Sequence, residues 1–228
     1  MSVSTFFPDP SPESTSVDGR TYITGANSPW ATIIAASGTG AQDNASISAS
    51  PILQSSTTTN QYQILTRSAF LFDTSAIDAG DDISEATFSI CVYGKHNALG
   101  LEADSGSAIV LCASAPASNT AVASGDHVLY GSTEFGRTGN QSTLSTGLTN
   151  YNDTTLNISG LAAIAKDGVT KLGQLIAFDF DETAPTWGSN KGQGIDTYSA
   201  EQADTTSDPK LVVTHAEPPV TEKMFLMF

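Results

Sequence analysis

Positive charge is scarce in this chain: nine Lys and Arg stand against 24 Asp and Glu in 228 residues, a formal net charge of −15. Such an excess of acid repels nucleic-acid phosphates and anionic membrane surfaces, so neither is expected as a partner. It favours solubility and suits cation binding or a salty medium. Charged residues of both signs together make up only 14%, against about 25% in average globular chains. Cysteine is equally rare. Cys91 and Cys112 each sit in an apolar run (SICVYG and AIVLCAS), where a thiol acts as a small core hydrophobe. Two cysteines make no disulfide framework, and a bond between them requires their strands to be neighbours. No apolar run approaches the roughly 20 residues needed to span a bilayer. The first residues, MSVSTFFPDPSPES, lack a basic start and an apolar signal core. The expectation is a protein made in a cytosol that stays there or leaves without a Sec signal. The sequons NAS, NQS, NDT and NIS then carry little meaning.

Ser, Thr, Asn and Gly fill the place of the missing charges, a composition that suits many short β-segments joined by polar turns. The most strand-like stretch is Gln61–Ile77, QYQILTRSAFLFDTSAI. Tyr62, Ile64, Phe70 and Phe72 share one parity and Leu65, Arg67, Ala69 and Leu71 the other. One face is therefore large and apolar, and the opposite face is smaller with a single cation. Further strands are predicted at Thr21–Thr24, Trp30–Ala35, Ile83–Tyr93, Ala108–Ala113, Val128–Tyr130, Thr154–Ile158, Leu172–Phe180, Ile195–Ser199 and Leu211–His215, with another beginning near Ile52–Leu53. One short helix follows Ser159, which can cap it, and ends at Gly168. Without βαβ alternation or internal repeats, this pattern predicts an all-β antiparallel sandwich (jelly roll) over 17–215. Residues 1–16, with Pro8, Pro10 and Pro12, read as an extended N-terminal arm. Residues 216–228 read as a C-terminal tail whose Met224, Phe225, Leu226, Met227 and Phe228 dock on a neighbouring subunit or another protein.

Residues with chemistry to offer are few. Asp179, Asp181 and Glu182 put three oxygen donors at a strand end, a candidate site for a hard cation such as calcium, although no EF-hand loop supports it. His96, His127 and His215 lack ligand spacing, and no nucleophile elbow, P-loop or CxxC pair is present. With 24 acids, two carboxylates meeting by coincidence is no argument for a glycosidase. Trp187, in the loop TAPTWGSNKG, and Tyr198 are candidates for an aromatic platform that binds sugar rings, with Trp30 a third aromatic.

Three segments carry a family resemblance. RSAFLFDTSAI followed by ISEATFSICVYG resembles a signature in which an arginine precedes an aromatic-rich strand ending in Phe-Asp, then a turn and a Ser-Ala strand. YSAEQADTTSDPKLVVTH resembles the closing motif, in which Ser-x-Glu leads through a loop to Pro-Lys-Leu and a final strand. Together they resemble the DNRLRE-type domains, related to carbohydrate-binding modules of jelly-roll fold and also found in bacteriophage and metagenomic virion-like proteins. The resemblance covers about 17–215 and places Arg67, Asp73 and Glu201 at motif positions. It implies that Arg67 and Glu201 pair across the fold. Unlike secreted members, the chain is expected to carry neither a signal peptide nor an attached catalytic module. The resemblance thus implies a non-enzymatic structural protein of a phage virion, a capsid decoration or tail component partnered by itself and by other virion proteins. The alternative it implies is an adhesion module recognising a surface glycan.

Overall fold

A computed structural model describes residues 1–217, leaving aside the side chain of residue 49, so the tail expected at Met224–Phe228 lies outside the described residues. Twelve strands form among the described residues: β1 (Ser2–Phe6), β2 (Asp18–Ile23), β3 (Gly40–Gln42), β4 (Ile47–Ser55), β5 (Tyr62–Asp73), β6 (Asp82–Asn97), β7 (Ile109–Ala113), β8 (Gly136–Arg137), β9 (Tyr151–Thr155), β10 (Val169–Ile176), β11 (Gly192–Tyr198) and β12 (Lys210–Ala216). Three helices of four or five residues accompany them: α1 (Trp30–Ile34), α2 (Ile158–Ala162) and α3 (Ala177–Phe180). Every ladder is antiparallel. The fold is the all-β sandwich that the alternating sequence predicts.

One layer holds β1, β12, the first half of β6, and β9; the other holds β8, β7, β10, β5, β2 and β3, then β4, β11 and the second half of β6. β6 therefore belongs to both. Its residues 82–91 pair with β12 and β9, and residues 92–97 pair with β11 after a register shift beside Gly94. A long strand that changes layers at an irregularity is how a sandwich turns a corner. Across the gap, Phe88 of β6 meets Phe70 and Phe72 of β5 at ring distances of 5.1 and 6.1 Å. Leu172, Ile109, Leu111, Leu211 and Val213 complete this core. Each such side chain contributes about 1.5–3 kcal/mol on burial.

β5 is covered on its other face too. Leu65 packs with Trp30 and Ile33 of α1, and Ala69 and Leu71 pack with Val17 and Val122. A bulge in the β4–β5 ladder pairs Ser55 with Tyr62 and Gln54 with Ile64, leaving Gln63 as the extra residue. The bulge shifts the alternation, so Tyr62 joins Leu65 and stacks edge-on against Trp30 at 4.9 Å instead of sharing the face of Phe70.

Four local expectations are corrected. Trp30–Ala35 is helical: Pro29, with φ −55°, leads into a turn in which Trp30 and Ile33, three apart, bury one side. Residues 2–6 are not a free arm, because β1 pairs along β12 from Ser2–His215 to Phe6–Leu211. Asn157, not Ser159, caps α2, its side chain accepting from the Ser159 and Gly160 N–H groups. β10 stops at Ile176, and the AFDF that follows is α3. Cys91 and Cys112 are both buried free thiols, pushed up by burial to about 11 and about 12.

Candidate functional site

The layer containing β9, β12 and β1 covers only part of the opposing layer. On β5, Phe72 and Phe70 point into the core, but Thr66 and Ile64, of the same parity, reach a groove of about 850 Å³. Cross-strand pairing fixes the neighbours: Tyr22 lies opposite Thr66, and Gln54 opposite Ile64. The groove thus runs over five adjoining strands, with Arg20, Tyr22 and Thr24 from β2 and its end, Ile52 and Gln54 from β4, and Gly192 from β11. Lys95, His96 and Asn97 of β6 close one side with Ala98, and Asn190 closes an end. A groove of this size lies within the range of small-molecule and oligomer sites.

The chemistry of its walls differs from that of the chain as a whole. Among the lining residues are an arginine, a lysine and a histidine, and no Asp or Glu. Arg20 donates to Gln42 Oε1 at 2.6 Å and its guanidinium lies 5.6 Å from the Tyr22 ring centroid. Its Nε is buried without a partner among the described residues. Burial lowers the Arg20 pKa, and Tyr22 and Asp196 act the other way. His96 Nε2 lies 2.8 Å from Asp196 Oδ2, which raises the imidazole pKa. The Tyr22 ring packs on Gly40, where an added Cβ would come within 2.4 Å of it, so position 40 tolerates no side chain while Tyr22 stays in place. Gln54 and Gln63 both donate to Asn190 Oδ1, fixing the loop at the groove's end.

The candidate site residues singled out in the sequence lie elsewhere, and of these Arg67 and Asp179 meet. Arg67 pairs with Asp179, not with Glu201: Nε and Nη2 reach the two carboxylate oxygens at 2.7 Å each. Nη1 donates to the His127 carbonyl and Nη2 also donates to the Ile34 carbonyl, both at 2.7 Å. Asp179 was the nearer acid because α3 folds back over the β5 face that carries Arg67. Burial pushes the Asp179 carboxyl up, against the pull of Arg67, and His127 is held neutral, its pKa lowered by burial to about 3.

That pairing also dissolves the candidate metal site. Asp179 is occupied by Arg67, Asp181 makes a bidentate pair with Arg137 at 2.8 Å, and Glu182 is exposed. Among the described residues no group of three His, Cys, Asp or Glu side chains could hold a metal ion. The aromatic platform fails as well. Tyr198 is buried edge-on against Tyr93 at 5.5 Å, Trp187 is half-buried with its Nε1 sealed off, and neither lines the groove. Among the described residues the Asp73 carboxylate accepts only from the Ser75 N–H, within its own turn.

Glu201 sits instead among acids, near Asp18, Glu13 and Asp208. Among the described residues, both Glu201 oxygens and Asp208 Oδ1 are buried without hydrogen-bond partners. Burial raises the Asp208 carboxyl to about 7, with Asp204 and Glu201 adding to the shift, and Asp18 is raised by burial and by Glu201.

No family model matches the chain, and no curated protein sequence is similar to it. The groove residues escaped the sequence reading because they come from five separate segments. The one available signal was the alternation Arg20, Tyr22, Thr24, a polar-aromatic face opposite Thr21 and Ile23.

Two outcomes follow. Asp179→Ala leaves Arg67 buried and unpaired and costs about 3–5 kcal/mol in urea unfolding, whereas a loss near zero would mean that the pair is open to water. The folded form holds the Asp208 proton more tightly than an unfolded carboxyl titrating near 3.8, so this site favours folding at low pH. Its contribution fades as pH rises to about 7. Asp208→Asn is therefore expected to raise the melting temperature at pH 8 and leave it nearly unchanged at pH 4; a lower value at pH 8 would contradict the assignment.

Proposed function

We propose that the protein is a binding module that holds an extended glycan in the groove over β2, β5, β4, β11 and β6. The observation that carries this reading is the groove itself: an apolar floor of Ile52 and Ile64 ringed by Tyr22, Thr66, Gln54, Asn97, Asn190, Arg20 and Lys95. Sugars present apolar ring faces and dense hydroxyls, and such a surface offers both a floor and an array of donors and acceptors. The buried, unpartnered Nε of Arg20 supports the same reading, since a ligand oxygen would complete it. A rigid sheet fixes these side chains before the ligand arrives, which keeps the ordering cost of binding low.

A second reading is an assembly subunit of a bacteriophage particle. It is favoured by β1, a strand on the sheet edge tethered through residues 7–17, the kind of element that neighbouring subunits exchange. The phage setting comes from the resemblance in sequence.

Affinity electrophoresis against a panel of neutral and uronic-acid polysaccharides tests the glycan reading. At least one polysaccharide is expected to retard the protein, with Tyr22→Ala or Gln54→Ala weakening retention about tenfold, equivalent to about 1.4 kcal/mol. No retardation across the panel, or retardation that both variants keep, would overturn it.

A further inference from the structure

Ser4 of β1, His215 of β12 and Asp81, in the turn before β6, form an ordered hydrogen-bond chain. Ser4 Oγ lies 3.0 Å from His215 Nε2, and His215 Nδ1 lies 2.5 Å from Asp81 Oδ2. The three come from segments far apart in sequence, brought together because β1 and β6 flank β12. Asp81 and His215 are buried, at 5% and 8% exposure, while Ser4 is half-exposed. The turn bearing Asp81 is held by Lys166, which donates to the Asp81 carbonyl. In the tautomer with its hydrogen on Nδ1, facing Asp81 Oδ2, the ring turns its Nε2 lone pair to the Ser4 hydroxyl. These are the roles of a nucleophile, its general base and the group that orients the base, which are recognised by geometry and not by position in the chain.

We propose that Ser4 is a nucleophile activated by His215 and Asp81, and that it transfers small acyl groups from esters to water. Ser4 Oγ adds to the ester carbonyl carbon while its proton passes to His215 Nε2. The carbon–oxygen bond to the alcohol breaks, and the alcohol departs with that proton, leaving Ser4 acylated. Water then adds to the acyl carbon, giving a proton to Nε2; the Ser4 ester bond breaks, Ser4 regains the proton, and a carboxylic acid is released. Among the described residues no strand pairs with the outer edge of β1. The outward N–H groups of this edge are the donors that the proposal assigns to the oxyanion. A half-exposed serine on an edge strand needs no acyl pocket to receive acetyl-sized groups, and this sets the substrate class.

The test uses the full-length protein and a fluorophosphonate, which phosphonylates activated serines with loss of fluoride, with the adduct located by peptide mass spectrometry. The expected result is a dominant adduct on Ser4, together with hydrolysis of 4-nitrophenyl acetate that Ser4→Ala abolishes. His215→Gln should lower the labelling rate about a hundredfold, the scale of general-base catalysis. Should His215→Gln unfold the protein, the wild type in urea serves instead, because the activation exists only in the folded chain and labelling must collapse there. No Ser4 adduct, or equal labelling of Ser4 in the folded wild type and in the variant or the urea-unfolded chain, would reduce the chain of hydrogen bonds to a latch for β1 and overturn the proposal.

Discussion

The structure depends on β5 being covered on both faces. On one side Phe70 and Phe72 require a second layer, which Phe88 of β6 supplies. On the other, Arg67 is the one charge of β5 to enter the interior, and it is tolerable only because α3 delivers Asp179 to it in a bidentate pair, with two backbone carbonyls accepting further hydrogen bonds. The first demand brings the two sheets together. The second fixes where β10 must end and α3 begin. α1, the Ser124–Val128 turn and the loop after α3 are arranged around the guanidinium that results.

From this constraint the groove follows. β6 has to cover Phe70 and Phe72 with its first half and then cross into the other sheet to pair with β11. Beyond the crossing, the same face of β5 continues uncovered among the described residues, and the outward residues of β2 and β4 continue with it. An open, pre-formed, polar-rimmed surface is thus a consequence of how the sandwich closes. The acids of the chain lie outside it, and nearby Asp196 is engaged with His96.

The sequence made the architecture legible wherever alternation was strong. Gln61–Ile77 and Ile83–Tyr93 read as strands because bulky residues recur at every second position, and the inference of two layers followed from Phe70 and Phe72. It misled where tertiary contacts outweighed local pattern. Trp30–Ala35 is an apolar run that suits either helix or strand, and burial against Leu65 and Tyr62 decided for helix. The Gln63 bulge moved Tyr62 to the opposite face, an event that a period of two cannot show. Arg67 was rightly marked as needing a partner, but the partner was read from a motif, whereas proximity after folding selected Asp179. The groove and the Ser4–His215–Asp81 chain escaped for the same reason: each gathers residues from three to five distant segments, and only the alternation Arg20, Tyr22, Thr24 gave a local sign of the groove.

The most direct measurement of the account is chemical-shift mapping of the isotope-labelled protein titrated with oligosaccharides cut from a polysaccharide that retards it. The account predicts that shifts concentrate on the backbone of β2, β4 and β5 around Tyr22, Gln54 and Thr66 and on Lys95 to Asn97 of β6, with the Phe88 core unmoved. Perturbations confined to the surface around Trp187, or to the outer layer of β1, β12 and β9, would contradict it.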